Sequence, residues 1–175
     1  MTAREVRNCI IKGLHEYLQV EVCKGNQRMK ERKPPYIIYS VVSPYIADRT
    51  IGEFQVEKNK GKTVEIRKEQ PSFSMSFVVC STDRMNGKKK VYGDDEAMEL
   101  AERAHGWFLH SGYDYISDVG VTVIDVTNVQ NRETLLVDEE ANRYGFDVTI
   151  RYVRQDIREI QPIEKIMIEG GKRSE

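Results

Sequence analysis

The tightest constraint on this chain is a pair of segments with an apolar period of two. In Ser72–Cys80, the large residues Phe73, Met75, Phe77 and Val79 alternate with Ser72, Ser74, Ser76 and Val78. Further on, Tyr144, Phe146, Val148, Ile150 and Tyr152 alternate with Gly145, Asp147, Thr149 and Arg151. Successive side chains on a strand point to opposite faces, so each segment turns its large groups toward a core and its small or polar groups away. A helix cannot satisfy that period. The fold must contain a sheet with one buried face.

Other elements group around this pair. Tyr36–Val42 (YIIYSVV) is rich in aromatic and β-branched residues and reads as a third strand. Val20–Cys23 reads as a short edge strand, and Thr63–Lys68 and Val121–Val129 as further strands. Weaker signals mark short strands at Leu135–Val137 and Ile163–Ile168. Ser43-Pro44 signals a turn, as do Asn59–Lys62 and Asn86-Gly87, the last within the link Asp83–Gly93.

Ala3, Val6, Ile10, Leu14 and Tyr17 recur at spacings of three and four, which predicts an amphipathic helix over residues 2–18 with Thr2 as its cap. A second helix starts at Asp94 and Asp95, carries the stripe Ala97, Ala101, Ala104 and Phe108, and ends at Ser111-Gly112. No crossover helix separates consecutive strands, so a parallel doubly wound sheet is disfavoured. The expected class is α+β, a mainly antiparallel sheet with two α-helices on one face. One domain over residues 1–168 is expected, followed by a disordered tail at 169–175.

Composition excludes several classes. The longest uncharged stretches, Pro34–Ala47 and Gln70–Thr82, span 14 and 13 residues. A membrane helix needs about 20, so no membrane association is expected. The opening MTAREVRNCI has early charges and no apolar run, so no secretory signal is expected either. Cys9, Cys23 and Cys80 are scattered and odd in number, which fits free thiols in a reducing cytoplasm.

A catalytic constellation is not visible. His15, His105 and His110 do not make a metal-ligand pattern, and there is no HExxH, no Cys pair and no G-x-S-x-G. Gly61-Lys62-Thr63 ends like a phosphate loop, but Val56 stands where the first glycine is needed. Asp125, Asp147 and Glu65-Ile66-Arg67 would make a metal-dependent nuclease only with Arg in place of the usual Lys. No metal or cofactor is expected.

Charge is the remaining site-like signal. Lys+Arg total 27 and Asp+Glu 28, which argues against a dedicated nucleic-acid binder. Residues 1–90 carry 18 basic and 10 acidic side chains; residues 91–175 carry 9 and 18. Halves of opposite sign suit a head-to-tail contact between copies, unless they interleave in space. The basic residues gather in loops: Arg28, Lys30, Arg32 and Lys33 within Lys24–Lys33, then Lys58–Lys68, then Lys88–Lys90. The loops Lys24–Lys33 and Asn128–Asn142 are long and polar, and recognition groups concentrate on such loops.

Several blocks carry a resemblance. They are PPYIIYSVVS, QPSFSMSFVVCS, DDEAMELAERAHGWFLHSGYDYI, and the pair Asn131-Arg132 followed by Arg143-Tyr144-Gly145-Phe146-Asp147-Val148. In this order, from about residue 4 to 168, the chain resembles the phage neck terminator family, which belongs with the tail-completion proteins of long-tailed phages. The link Asp83–Gly93 departs from that pattern, being longer and more basic. The resemblance implies a structural protein of the virion, assembled in the host cytoplasm, that forms a ring, hexameric, at the head-proximal end of the tail tube. Its partners would be other copies of itself, the tail tube protein and the head-completion or connector protein, with DNA passing through unread. It implies no cofactor and no catalytic residue. Interface candidates are Arg28, Lys30, Arg32, Lys33, Asn131 and Arg132. The alternatives are a different neck or adaptor protein of the same particle, or a metal-dependent nuclease.

Overall fold

The computed structural model describes residues 1–25, 32–59, 61–132 and 141–161. In chain order its elements are α1 (Ala3–Leu18), β1 (Glu21–Lys24), β2 (Tyr36–Ile46), β3 (Glu53–Asn59), β4 (Lys62–Glu69), β5 (Ser72–Ser81), β6 (Arg84–Asn86) and β7 (Lys89–Val91). Helix α2 (Gly93–Gly106) then runs into a π-helical turn (Trp107–Ser111) and α3 (Tyr113–Val119). The strands β8 (Val121–Val126), β9 (Gln130–Asn131), β10 (Asn142–Tyr152) and β11 (Arg154–Ile160) complete it.

Helix α1 begins as its sequence requires. The Thr2 hydroxyl accepts from Glu5 N, and the Glu5 carboxylate accepts from Thr2 N at 2.8 Å, a reciprocal cap that satisfies two otherwise unpaired donors. Val6, Ile10, Leu14 and Leu18 form its buried stripe. The helix ends at Gln19, in the left-handed region at φ 58°.

The principal sheet has the order β1-β2-β5-β10-β8, with β9 also paired to β10. Only β1 and β2 run parallel; the other pairs are antiparallel. Both alternating segments lie in its centre. Their register sets Phe77 beside Phe146 and Met75 beside Val148, with Tyr39 of β2 beside Phe77. These residues share one face and are buried with α1, α2, the π turn and Ile116 of α3. The Phe77 and Phe146 rings stack at 5.7 Å, Phe108 closes on both, and His105 meets the Phe146 ring edge-on. The opposite face carries Ser74, Ser76, Asp147 and Thr149, as the period of two demands.

A second sheet stands apart. It has the order β11-β4-β3, fully antiparallel. None of its residues belongs to the apolar core. Its middle strand is half-buried, whereas Phe54 and Val56 of β3 and Ile157 of β11 are exposed. We refer to this sheet as the arm.

The α+β expectation holds, with departures in detail. The segment after Gly112 folds as a third helix, α3, which periodicity does not predict. The strand expected over Val121–Val129 ends at Val126. The expected turn at Ser43-Pro44 is instead an irregular extension of β2, where register shifts relative to β5 occur between Val41 and Ile46. This stretch lies beyond the end of β1, so the missing N–H of Pro44 breaks no ladder there. Periodicity does not predict β11 either, because its sequence RQDIREI alternates charge rather than apolarity. The expected strands Leu135–Val137 and Ile163–Ile168 and the tail 169–175 lie outside the described residues.

Candidate assembly surfaces

Of the pair Asn131-Arg132, Arg132 reaches the polar face of the principal sheet. Asn131 belongs to β9, opposite Tyr144, and Arg132 N donates to Arg143 O at 2.8 Å. From there the Arg132 side chain crosses over Gly145. A Cβ at position 145 would come within 2.8 Å of Arg132 Cδ and 2.4 Å of Phe77 O. Only glycine leaves room for this close approach. The guanidinium then reaches two strands at once, donating to Ser76 Oγ on β5 at 2.5 Å and to Asp147 Oδ1 on β10 at 3.0 Å. Asp147 N in turn donates to Thr127 Oγ1 at 2.8 Å. The structure thus gives Arg132 an intramolecular role, binding a loop to the sheet, in addition to whatever surface it offers.

The other candidates separate. Lys33 is exposed. The Arg32 side chain is only 13% exposed, with Glu21 Oε1 at 3.6 Å and the Tyr36 ring at 5.8 Å. Arg28 and Lys30 lie outside the described residues.

The link Asp83–Gly93 is organised by charge. The β6–β7 hairpin turns at Gly87-Lys88, one residue later than the Asn86-Gly87 signal, with Asn86 paired to Lys89 and Gly87 at φ 63°. Arg84 grips Glu96 in the first turn of α2 through two bonds, 2.6 and 2.7 Å long, and Ser81 Oγ donates to the same carboxylate. The Arg84 bonds hold the Glu96 carboxyl below the usual glutamate range, with help from Ser81 and against the effect of burial. Asp83 accepts from Gly93 N at 2.8 Å, which lowers its own pKa. The hairpin is thereby fastened to α2, and it exposes Met85, Lys88 and Lys89.

The arm meets the principal sheet at an ionic hinge. Glu69, buried at the end of β4, pairs with Arg67 and lies 3.6 Å from Arg154. Tyr45 donates to the same carboxylate at 3.1 Å. Outward from the hinge, Arg67 meets Asp156 and Arg158 meets Glu65, following the β4–β11 register. Acids and bases facing each other across two strands replace the buried apolar pairs that the arm lacks. Glu65, Arg67 and Asp147 are thus all engaged in ion pairs.

Among the described residues no group of three or more His, Cys, Asp or Glu side chains could hold a metal ion. Cys23 and Cys80 are buried; Cys23 donates to Ile37 O at 3.1 Å, and burial pushes the Cys80 thiol above its ordinary pKa. No helix of the described residues is long and apolar enough to cross a membrane.

No curated protein matches the chain. A family model described as "Phage neck terminator protein" matches residues 4–174.

Proposed function

The chain belongs to the phage neck terminator family, a structural component of the tail-neck region of the virion, and from that premise we propose that copies of it close into a six-membered ring on the head-proximal end of the tail tube. The ring ends tube polymerisation and offers the surface to which the head connector is joined. DNA passes through its centre without sequence-specific contact. Assembly takes place in the host cytoplasm.

The observation that carries this reading is the family match across nearly the whole chain. The architecture supports it as well. A sheet outside the core, with apolar side chains in solvent, suits a subunit completed by its neighbours. The opposite net charges of the two halves of the chain add nothing to this, because the halves pair strand to strand in both sheets.

The test is complementation of a phage lacking this protein, with electron microscopy of the tails. Overlong tails, or finished tails that fail to join heads, are expected without it, and normal tails when it is restored. Normal tail length and full infectivity in its absence would reject the reading. Reversal of Arg28, Lys30 and Lys33 to Glu tests the first basic loop in the same assay: impaired joining or termination is expected, and unimpaired infectivity would remove that loop from the interface.

A further inference from the structure

Arginines in this molecule are commonly tied to carboxylates of the same chain: Arg67, Arg84, Arg132, Arg154 and Arg158 each meet one. One group of cations departs from that pattern. A cavity of about 530 Å³ opens between the first turns of α1 and the end of β1, and Arg4 and Arg7 of the helix and Lys24 of the strand all line it. Arg7 donates to Asn8 Oδ1, which is a neutral acceptor. Arg4 and Lys24 are exposed, and among the described residues no carboxylate pairs with either side chain.

Neighbouring acids leave the three uncompensated. None is among the described residues that line the cavity. On the flanking elements, Glu5 accepts from Thr2 N at the helix cap, Glu16 lies 3.8 Å from Lys12 Nζ, and Glu21 lies 3.6 Å from Arg32. Three cations gathered round one concavity repel one another and together attract an anion.

The shape of the cavity selects the kind of anion. Its floor is apolar, made by Ala3, Val41 and Phe73, which a bare phosphate or a DNA backbone cannot use. Its wall is the free edge of β2, at Ser40, Val41 and Pro44. The β1–β2 ladder ends where Lys24 stands opposite Tyr39, and Gly25 N donates to Tyr39 O at 2.8 Å. Backbone groups two residues apart on a strand point the same way, so Val41 N–H and C=O turn toward that edge too. No described strand follows β1 there. Gly25, at the entrance, adds no side chain to block it. An extended segment laid on this edge would bond to the strand and send alternate side chains toward the cations.

We propose that this cavity is the docking site for an extended acidic segment of a partner protein. The segment adds to the β2 edge beyond β1 and places carboxylates on Arg4, Arg7 and Lys24, with apolar side chains on the floor. Every group of the site belongs to one copy, so it stands whether or not copies close into a ring.

Fluorescence anisotropy of the purified full chain tests this with a labelled peptide of alternating glutamate and valine, about as long as an ordinary strand. Saturable binding is expected, and none when lysine replaces the glutamates. Arg4→Gln combined with Lys24→Gln should weaken binding about tenfold, the loss of two surface-scale ion pairs, without lowering the urea midpoint. Lys88→Gln combined with Lys89→Gln removes two exposed cations from the β6–β7 hairpin and should change binding less than about twofold. Methylating alternate backbone nitrogens of the peptide should weaken it about tenfold, because bonds to the β2 edge are lost. Failure to saturate by about 1 mM overturns the proposal. So does an equal loss from the hairpin pair, which marks diffuse attraction, or indifference to methylation, which leaves no strand pairing. Displacement of the peptide by equimolar inorganic phosphate or by a DNA duplex overturns it as well, assigning the cations to phosphate groups instead.

Discussion

Arg132 offers the sharpest test of how this surface is built, because an interface residue and an intramolecular clamp respond differently to its removal. Arg132→Ala deletes two bonds from a charged donor, to Ser76 Oγ and Asp147 Oδ1. Bonds of this kind contribute about 1.5–3 kcal/mol where they are shielded. The Asp147 side chain is 43% exposed, so water can replace the arginine there, and that bond falls to the surface scale of about 0–1 kcal/mol. The aliphatic stem over Gly145 adds packing that is lost as well. The sum is about 2–3 kcal/mol, which for a domain of this size lowers Tm by roughly 4–12 °C. Arg132→Lys keeps the stem, but a single ammonium cannot bridge two strands, so it should recover only part of the loss. Urea denaturation at constant m-value measures both variants. A double-mutant cycle with Asp147→Asn isolates the pair. An Arg132→Ala protein within about 0.5 kcal/mol of the parent, the ordinary range for a surface substitution, would refute the clamp and return Arg132 to a purely external role.

Phe146→Ala should cost about 3–5 kcal/mol, toward the upper end because the ring stacks on Phe77 and also meets Phe108 and His105; an unchanged thermal midpoint would show that the strand's buried face is misassigned. Gly145→Ala should destabilise by about 1–3 kcal/mol in calorimetry, since its Cβ would strike a backbone oxygen and the Arg132 stem; a neutral result would mean that neither Phe77 O nor Arg132 approaches position 145 this closely. The Glu96 carboxyl has a lowered pKa in the fold, so the stability it contributes is complete above its unfolded value of 4.5 and is lost as pH falls through the lower folded value. Arg84→Met should therefore flatten the decline of stability below about pH 4.5, read by urea titration across pH, and an unaltered slope would count against the Arg84–Glu96 grip.

Burial on one face leaves its period in the sequence where the element is long enough to repeat it; the seven-residue α3, with Ile116 alone buried, is too short. The alternation in β5 and β10 identified both central strands and the side of each that meets the core. The spacing Val6, Ile10, Leu14 and the Thr2–Glu5 cap defined α1. The arm obeys no such rule. Neither of its faces joins the core, so β11 has no apolar period, and its order comes from charges matched across strands: Arg67 meets Asp156 over a sequence separation of 89. Local pattern cannot report a pairing of that range: β4 reads as a strand by itself, but nothing in it names its partner, and β11 alone resembles a solvated loop. The same holds for Arg132, whose two acceptors lie 56 and 15 residues away. Sequence alone thus determined the class, the principal strands and the family; tertiary pairing decided which charged residues are bound within the molecule and which apolar ones are left for a partner, because those fates depend on distances that only the folded chain creates.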